Sequence, residues 1–243
     1  MATEHIVKSF DQELEKLRRT IVQMGGMAES QLEAALQSVA RRDASQAGRV
    51  VQADERLDAY EQEIDAGAVR LLALRQPMAT DLREIISSLK VAADLERIGD
   101  YAANVAKRAI ALSQAPVVKP VAAIQRLGRL VQSNVKDVLD AYTERDVGKA
   151  LDAWNRDEEV DDLYTSLFRE TLTYMMEDPR NISSCTHLLF IAKNLERIGD
   201  HATNVAETIY YLVEGEPIRI SRRKGDISSY EVVAPEGGQE VES

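Results

Sequence analysis

The sequence holds few of the residues that interrupt helices or favour sheets. It has 12 glycines and 6 prolines, and aromatic residues make up only 5% of its 243 positions. Apolar residues nevertheless reach 44%, which is enough to bury a core. A chain with few breakers and few aromatics favours helix over strand, and we therefore predict an all-α protein.

Cysteine and long apolar runs are also scarce. The single cysteine, Cys185, cannot form an intramolecular disulfide, which fits a reducing compartment. The first ten residues include polar and charged ones and contain no long apolar core, so they do not look like a signal peptide. No apolar run approaches the roughly 18 residues that a membrane span needs. We expect a cytoplasmic protein without direct membrane insertion.

Basic residues are in deficit, since 30 Lys and Arg against 41 Asp and Glu give a formal net charge of −11. An acidic balance argues against nucleic-acid binding, because phosphate contacts need clustered Lys and Arg. The same charge is compatible with cation binding and equally with a soluble, self-repelling surface. Charge alone does not choose between the two.

The chain repeats itself after about 100 residues. Residues 94–106 recur as residues 194–206, with ten of the thirteen positions identical. Upstream, an Asp-Glu-x-x-Asp segment that begins at Asp54 recurs at Asp157, an offset of 103. The sequence therefore predicts two copies of one structural unit.

Each copy is predicted to contain three antiparallel helices, because apolar residues recur at helical spacing and the connections are short. The predicted organisation is a first three-helix bundle at 1–115, a second at 121–215 and a flexible tail at 216–243. In the first bundle the second helix carries Val50 to Leu72 and stops near Pro77. In the second bundle the helices span about Val121 to Tyr142, Val147 to Glu177 and Asn181 to Val213.

Three positions carry local predictions within these helices. Asp43 is expected to cap the second helix. Gly25 and its counterpart Gly128 lie inside predicted helices, where each costs about 1 kcal/mol relative to alanine. A kink or a close approach of another helix is the expected reason for both glycines.

Acidic side chains line up across each hairpin. Asp58 and Glu96 are each 19 residues from Pro77, and Asp54 and Asp100 are each 23 residues from it. In an antiparallel hairpin, equal distance from the turn means equal height. The second copy repeats the arrangement around its own proline with Asp157, Asp161, Glu196 and Asp200.

Facing carboxylates repel one another unless positive charge joins them. Arg97 and Arg197 could neutralise them as ion pairs. A metal is the alternative that we favour, because four acids converge in both halves of one sequence. Carboxylate oxygens suit hard cations, and we expect iron, manganese, magnesium or zinc. His201, beside Asp200, could add a nitrogen ligand in the second copy, where the first copy has Tyr101.

These same segments resemble the signature of the PhoU family. The matching features are the two Leu-Glu-Arg-Ile-Gly-Asp segments followed by Ala-x-Asn, the two Asp-Glu-x-x-Asp segments, and Pro-Met-Ala-Thr-Asp-Leu-Arg at 77–83. The resemblance covers roughly residues 8–214. It implies two similar three-helix bundles and multinuclear metal clusters on repeated Glu/Asp-x-x-x-Asp motifs, here Asp54/Asp58, Glu96/Asp100, Asp157/Asp161 and Glu196/Asp200. One departure is Lys107, which stands where the second copy has Glu207.

The resemblance also implies regulation and not catalysis. PhoU proteins restrain phosphate uptake when phosphate is abundant, link a phosphate-specific ABC transporter to a membrane sensor histidine kinase, and are commonly dimeric. We therefore expect a homodimeric negative regulator of phosphate uptake and of the phosphate-starvation response. Its expected partners are the transporter ATPase and the kinase.

Two other functions fit an acidic helical bundle. A carboxylate-bridged di-iron enzyme would use Glu-x-x-His on two helices, and the sequence contains no such motif. A P-loop is also missing. A metal-free structural adaptor, whose acids only solvate its surface, remains open and would carry no stoichiometric metal.

Overall fold

A computed structural model of the chain describes residues 2–75, 77–118 and 120–219. Within these residues the chain is helical and has no strand, which confirms the all-α class. The predicted tail lies outside the described residues from Ile220 onward. The α-helices are α1 (Ala2–Arg41), α2 (Ala44–Ala53), α3 (Glu55–Arg75), α4 (Thr80–Ser113), α5 (Val121–Glu144), α6 (Val147–Asn155), α7 (Asp157–Glu177) and α8 (Ile182–Glu214).

The long helices α4 and α8 form the centre of the molecule. In the first unit α1, α2 and α3 pack on α4, and in the second unit α5, α6 and α7 pack on α8. The two central helices run antiparallel, since Lys90 lies over the ring of Tyr211 while Arg108 lies over Phe190. Buried side chains of both units therefore join in one apolar core.

The second helix of each unit is broken, so the prediction of one continuous helix was wrong. In the first unit the backbone carbonyl of Asp54 accepts hydrogen bonds from the amides of Leu57 and Asp58, which starts a new helix. In the second unit the carbonyl of Arg156 accepts hydrogen bonds from the amides three and four residues further along the chain. The new helix begins at the Asp-Glu-x-x-Asp segment. Acidic residues in a first turn are favoured there, because they face the positive end of the helix dipole.

The start of the short second helix follows the prediction in both units. The Asp43 carboxylate accepts a hydrogen bond from the Gln46 amide at 2.9 Å, which confirms the predicted cap. Asp146 does the same for Lys149 at 3.1 Å. Because the two caps are equivalent by sequence, the duplication holds in local geometry as well.

Close helix approach explains the two internal glycines. A Cβ atom on Gly25 would stand 2.5 Å from a methyl of Leu139, and one on Gly128 would stand 2.4 Å from a methyl of Leu36. The glycine of each helix therefore receives the leucine of the other, so that α1 and α5 cross antiparallel in a reciprocal contact. The predicted reason for these glycines is confirmed.

A buried carboxylate forms ion pairs with one arginine from each unit. Glu84 on α4 is 3% exposed and forms ion pairs with Arg18 on α1 and with Arg145, which ends α5. Burial would raise the pKa of Glu84, but the hydrogen bonds and charges of the two arginines outweigh it, so the pKa lies below its ordinary value. The ionised form is thus stabilised by folding.

Replacing Glu84 with glutamine is expected to lower the free energy of unfolding at pH 7 by about 2 kcal/mol. The expected loss is below that of a fully buried pair because Arg18 and Arg145 remain 40% and 36% exposed. Because the pKa of Glu84 is lowered in the folded protein, its ionised carboxylate stabilises the fold above pH 4.5, the ordinary pKa, and stabilises it less as the pH falls. The difference in free energy of unfolding between the wild type and the variant should therefore narrow in acid. Urea unfolding at pH 7 and pH 3.5 measures both effects.

The control is Glu15→Gln, which removes a more exposed carboxylate that also contacts Arg18, at 3.5 Å. It should cost less than about 0.5 kcal/mol. An equal cost for the two variants would mean that Glu84 stabilises the fold no more than a surface acid does.

Among the described residues, no helix combines the length and the apolar composition that a bilayer crossing requires.

Candidate metal centres

The first group of carboxylates lies between α3 and α4, at the level that the hairpin count predicts. Asp54 directly precedes α3, Asp58 lies in the first turn of α3, and Glu96 and Asp100 come from the middle of α4. Asp54 lies close enough to the others for their charges to act on it: after burial, the charges of Asp100 and Asp58 raise its pKa. We call these four residues the first cluster.

Two acids of the first cluster hold protons close to neutral pH. Burial, followed by the charges of Asp100 and Asp58, raises the pKa of Asp54 from 3.8 to about 6. Burial, followed by Asp100, raises the pKa of Glu96 from 4.5 to about 7. Glu61, one turn beyond Asp58, also has a raised pKa through burial and neighbouring acids. Positive charge at this place would relieve the repulsion.

Two basic side chains neutralise part of the first cluster. Arg97 contacts Glu96 at 3.5 Å and Asp100 at 3.2 Å, which realises the ion pairing expected from sequence. The charge of Lys107 offsets a small part of the rise in the pKa of Asp54 that burial and the neighbouring acids cause. The Lys107 ammonium group is 3.3 Å from the Asn104 amide oxygen. Because Arg97 is 57% exposed, it screens the acids without removing them from water.

The second group, between α7 and α8, is more deeply buried. Asp157, Asp161 and Glu196 are 2%, 3% and 6% exposed, and Asp200 is half-buried. We call these four residues the second cluster. Because burying a carboxylate is costly unless it is paired or bound to a cation, this cluster has the stronger need for positive charge.

Two polar contacts hold the second cluster in place. The Thr203 hydroxyl donates to the Asp157 carboxylate at 3.0 Å, and Lys193 donates to Glu196 at 2.9 Å. Arg197 lies over the ring of Tyr101, 5.5 Å from its centre, and not against the second cluster. Neutralisation by Arg197 was an alternative that the sequence left open, and in the structure Lys193 is the cation beside Glu196.

One glycine in each repeated segment brings the acids close to the central helix. A Cβ on Gly99 would meet Leu57 at 2.2 Å and would stand 3.5 Å from a carboxylate oxygen of Asp54. A Cβ on Gly199 would lie 3.2 Å from Val160 and 3.6 Å from an oxygen of Asp157. Because Gly99 and Gly199 have no side chain, α3 can approach α4 and α7 can approach α8 closely. This approach places Asp54 and Asp157 beside the two glycines.

The donor chemistry of both clusters fits a hard cation, because all eight side chains offer carboxylate oxygens. Three acids of the second cluster are also buried, and in the first cluster the pKa values of Asp54 and Glu96 are raised toward neutrality, chiefly by burial. As placed in residues 2–75, 77–118 and 120–219, no three acids, histidines or cysteines converge closely enough to hold a metal ion. Coordination would therefore require these side chains to rotate toward a shared centre.

His201 faces the other unit. One of its ring nitrogens, Nδ1, lies 2.8 Å from the Asp94 carboxylate on α4, and Asn204 donates to the same oxygen at 3.2 Å. The ring also stacks near Tyr101, with 5.6 Å between centres. Neighbouring positions on a helix point about 100° apart, so His201 turns toward the α4–α8 contact while Asp200 turns toward the second cluster. Ligation by His201 stays a prediction.

Sequence reasoning missed several neighbours of the clusters. Thr203 and Glu61 lie one helical turn from predicted acids, and their spacing could have identified them. Gln31 of α1 could not be found in this way, because only the packing of α1 on α4 brings its amide to Gly99. Trp154, which donates to Glu207 at 3.0 Å, likewise owes its partner to the packing of α6 on α8.

Both units match a known family. The model of the PhoU domain matches residues 21–109 and again residues 124–209. A protein of Caulobacter vibrioides (strain NA1000 / CB15N), named phosphate-specific transport system accessory protein PhoU homolog, is 54% identical over 228 residues, which cover 93% of this chain and 99% of that protein. A protein of the same name from Rhizobium meliloti (strain 1021) is 49% identical, with 94% and 97% covered.

Solved structures match as well. The crystal structure of PhoU from Pseudomonas aeruginosa has a TM-score of 0.84 at 42% identity and covers 85% of this chain and 100% of that one. The phosphate transport system regulatory protein PhoU from Streptococcus pneumoniae has a TM-score of 0.80 at 30% identity, with 87% and 100% covered. With both repeats matched in sequence and in fold, the chain belongs to the PhoU family.

Proposed function

We propose that this protein is a negative regulator of phosphate uptake and of the phosphate-starvation response. It acts as a metal-binding adaptor between the phosphate ABC transporter and its sensor histidine kinase. The observation that carries the proposal is an identity of 54% and 49%, over 93% and 94% of this chain, to proteins named as accessory proteins of the phosphate-specific transport system. A cytoplasmic homodimer that contacts the transporter ATPase and the kinase is part of the same proposal.

The two clusters support the metal-binding part of this proposal. Asp54, Asp58, Glu96 and Asp100 would hold cations in the first unit, and the four acids of the second cluster would do so in the second. When bound, the cations would cancel the repulsion of facing carboxylates and tie each broken second helix to its central helix. Iron, manganese, magnesium and zinc all fit the oxygen donors.

Metal binding is expected to strengthen with pH between about 5.5 and 7.5, by about tenfold or more at the first cluster. A carboxyl group with a raised pKa, as for Asp54 at about 6 and Glu96 at about 7, favours the protonated state below that pH. A cation must displace those protons, so affinity rises as the groups ionise. Titration calorimetry with Mn²⁺ in two buffers of different ionisation enthalpy counts the protons released. Equal Mn²⁺ affinity at about pH 5.5 and about pH 7.5, with no proton release, would contradict metal binding at the first cluster.

The regulatory part is tested in a deletion strain grown in abundant phosphate. Loss of the protein should leave phosphate-starvation genes switched on, and a plasmid copy should restore repression. A copy that carries Glu196→Ala with Asp200→Ala reports whether the second cluster matters, provided that its protein level equals that of the wild type. Normal repression in the deletion strain, with no paralogue present, would return the metal-free structural adaptor to first place.

A further inference from the structure

A cavity of about 620 Å³ opens on the first unit between α1, α2 and the start of α3. Its volume falls in the range of pockets that hold small organic molecules. Met27, Val50 and the ring of Tyr60 supply apolar wall, and Ser30 and Gln46 supply polar groups. The cavity lies outside both clusters and is not used by the function proposed above.

The charge of this cavity is opposite to that of the protein. Arg49 and Arg56 are part of its lining, and no Asp or Glu is, although the chain carries a net charge of −11. In the described part of the chain neither arginine has an ion-pair partner, and Arg49 only donates to the Ser45 hydroxyl at 3.0 Å. Two guanidinium groups without counter-ions at the edge of an apolar wall suit an anionic group on an organic body.

A buried amide adds a second, independent observation. Gln31 lines the cavity and is only 5% exposed, yet among the described residues neither its amide nitrogen nor its amide oxygen has a hydrogen-bond partner. Unpartnered buried amides are costly, so such a group indicates a missing partner. Its oxygen stands 3.2 Å from the Cβ position of Gly99, which makes Gln31 the residue between the cavity and the first cluster.

The second unit shows what closes such a cavity. Offset by 103, Ala34 and Ala53 of the cavity wall correspond to Asp137 and Arg156, which form an ion pair across the equivalent space. The same offset replaces Arg49 with Asp152 and Arg56 with Glu159. The first unit therefore has two alanines and two arginines where the second has an ion pair and two acids.

We propose that this cavity is a binding site for a small anionic organic molecule, whose anion contacts Arg49 and Arg56 and whose apolar part lies against Met27, Val50 and Tyr60. The second unit does not repeat the two cations, since Asp152 and Glu159 stand at the equivalent positions. A soluble metabolite bound in this cavity would contact Gln31, which lies between the cavity and the first cluster.

The test uses two fluorescent probes that share one aromatic skeleton. The anionic probe is 8-anilinonaphthalene-1-sulfonate, and N-phenyl-1-naphthylamine is its uncharged counterpart. The double variant Arg49→Gln with Arg56→Gln should raise the Kd of the sulfonate probe by about tenfold or more and leave the Kd of the uncharged probe nearly unchanged. Ala34→Asp with Ala53→Arg, which copies the ion pair of the second unit, should weaken both probes. Far-UV circular dichroism and gel filtration establish that each variant keeps its fold and oligomeric state.

Three results would overturn the proposal. The first is no saturable binding of the sulfonate probe to the wild-type protein. The second is wild-type affinity in both double variants, which would place the probe elsewhere on the surface. The third is a change in oligomeric state when Ala34→Asp and Ala53→Arg fill the space, since the cavity would then be part of an interface between copies of the chain.

Discussion

Replacing Asp157 with asparagine and Glu196 with glutamine is expected to remove about half of the metal that the protein binds and most of the stabilisation that metal gives to the second unit. Both side chains are nearly fully buried, so their carboxylates depend on neighbouring groups or a bound cation more than on bulk water. Binding at a hundredfold excess over Kd stabilises by about 2.7 kcal/mol, and a chain of this size gains roughly 2–4 °C in Tm per kcal/mol. Thermal unfolding with and without Mn²⁺, together with elemental analysis, measures the effect.

Without metal, comparing the same variant with the wild type measures what the ion pair of Glu196 with Lys193 and the hydrogen bond from Thr203 to Asp157 contribute to stability on their own. The matched control is Glu158→Gln with Asp162→Asn, which makes the same charge change at exposed neighbouring positions. The parallel first-unit variant, Glu96→Ala with Asp100→Ala, should remove the other half. Full metal content in both units' variants would show that the clusters are not the sites.

Replacing Gly25 with leucine is expected to cost about 3 kcal/mol, which is the largest loss of stability that we predict. Its Cβ alone would meet Leu139 at 2.5 Å, and the remaining atoms would force α1 away from α5. Leu139→Ala in the same chain should recover a large part of the loss, because it clears the space that the new side chain needs. Urea unfolding of the two single variants and the double variant gives the coupling between the positions.

The neighbouring glycine is the control for that experiment. A Cβ on Gly26 would meet nothing within 4 Å, so Gly26→Leu should be neutral or slightly stabilising through its better helix propensity. If both substitutions cost the same, backbone effects and not the α1–α5 contact would explain the loss.

The helices, the caps and the height of the acids could be predicted because each depends on local pattern. Apolar spacing marks the helices, Asp43 caps by its own side chain, and counting from Pro77 needs only a helical rise and an antiparallel hairpin. The break at Asp54 could not be predicted by the same means. Acidic residues suit both an exposed helix face and a first turn, so the Asp-Glu-x-x-Asp segment fits a continuous and a broken helix equally well.

The difference between the two clusters also lies beyond local pattern. Their sequences are nearly the same, yet Asp161 is buried while its counterpart Asp58 is exposed, because burial depends on what packs over the motif. The direction of His201 has a similar origin. Its partner Asp94 is 107 residues away in the chain, and only the antiparallel pairing of α4 and α8 brings the two together.

The most direct test of the account is whether the purified protein, with its metal content measured, binds the phosphate transporter in a metal-dependent way. The tagged wild-type protein is incubated with membrane fractions from phosphate-replete cells, with and without a chelator, and captured proteins are identified by mass spectrometry. The account predicts recovery of the transporter ATPase and the sensor kinase with metal-loaded protein, and much less after chelation or with Asp157→Asn and Glu196→Gln. A protein that carries no stoichiometric metal and captures neither partner under either condition would contradict it.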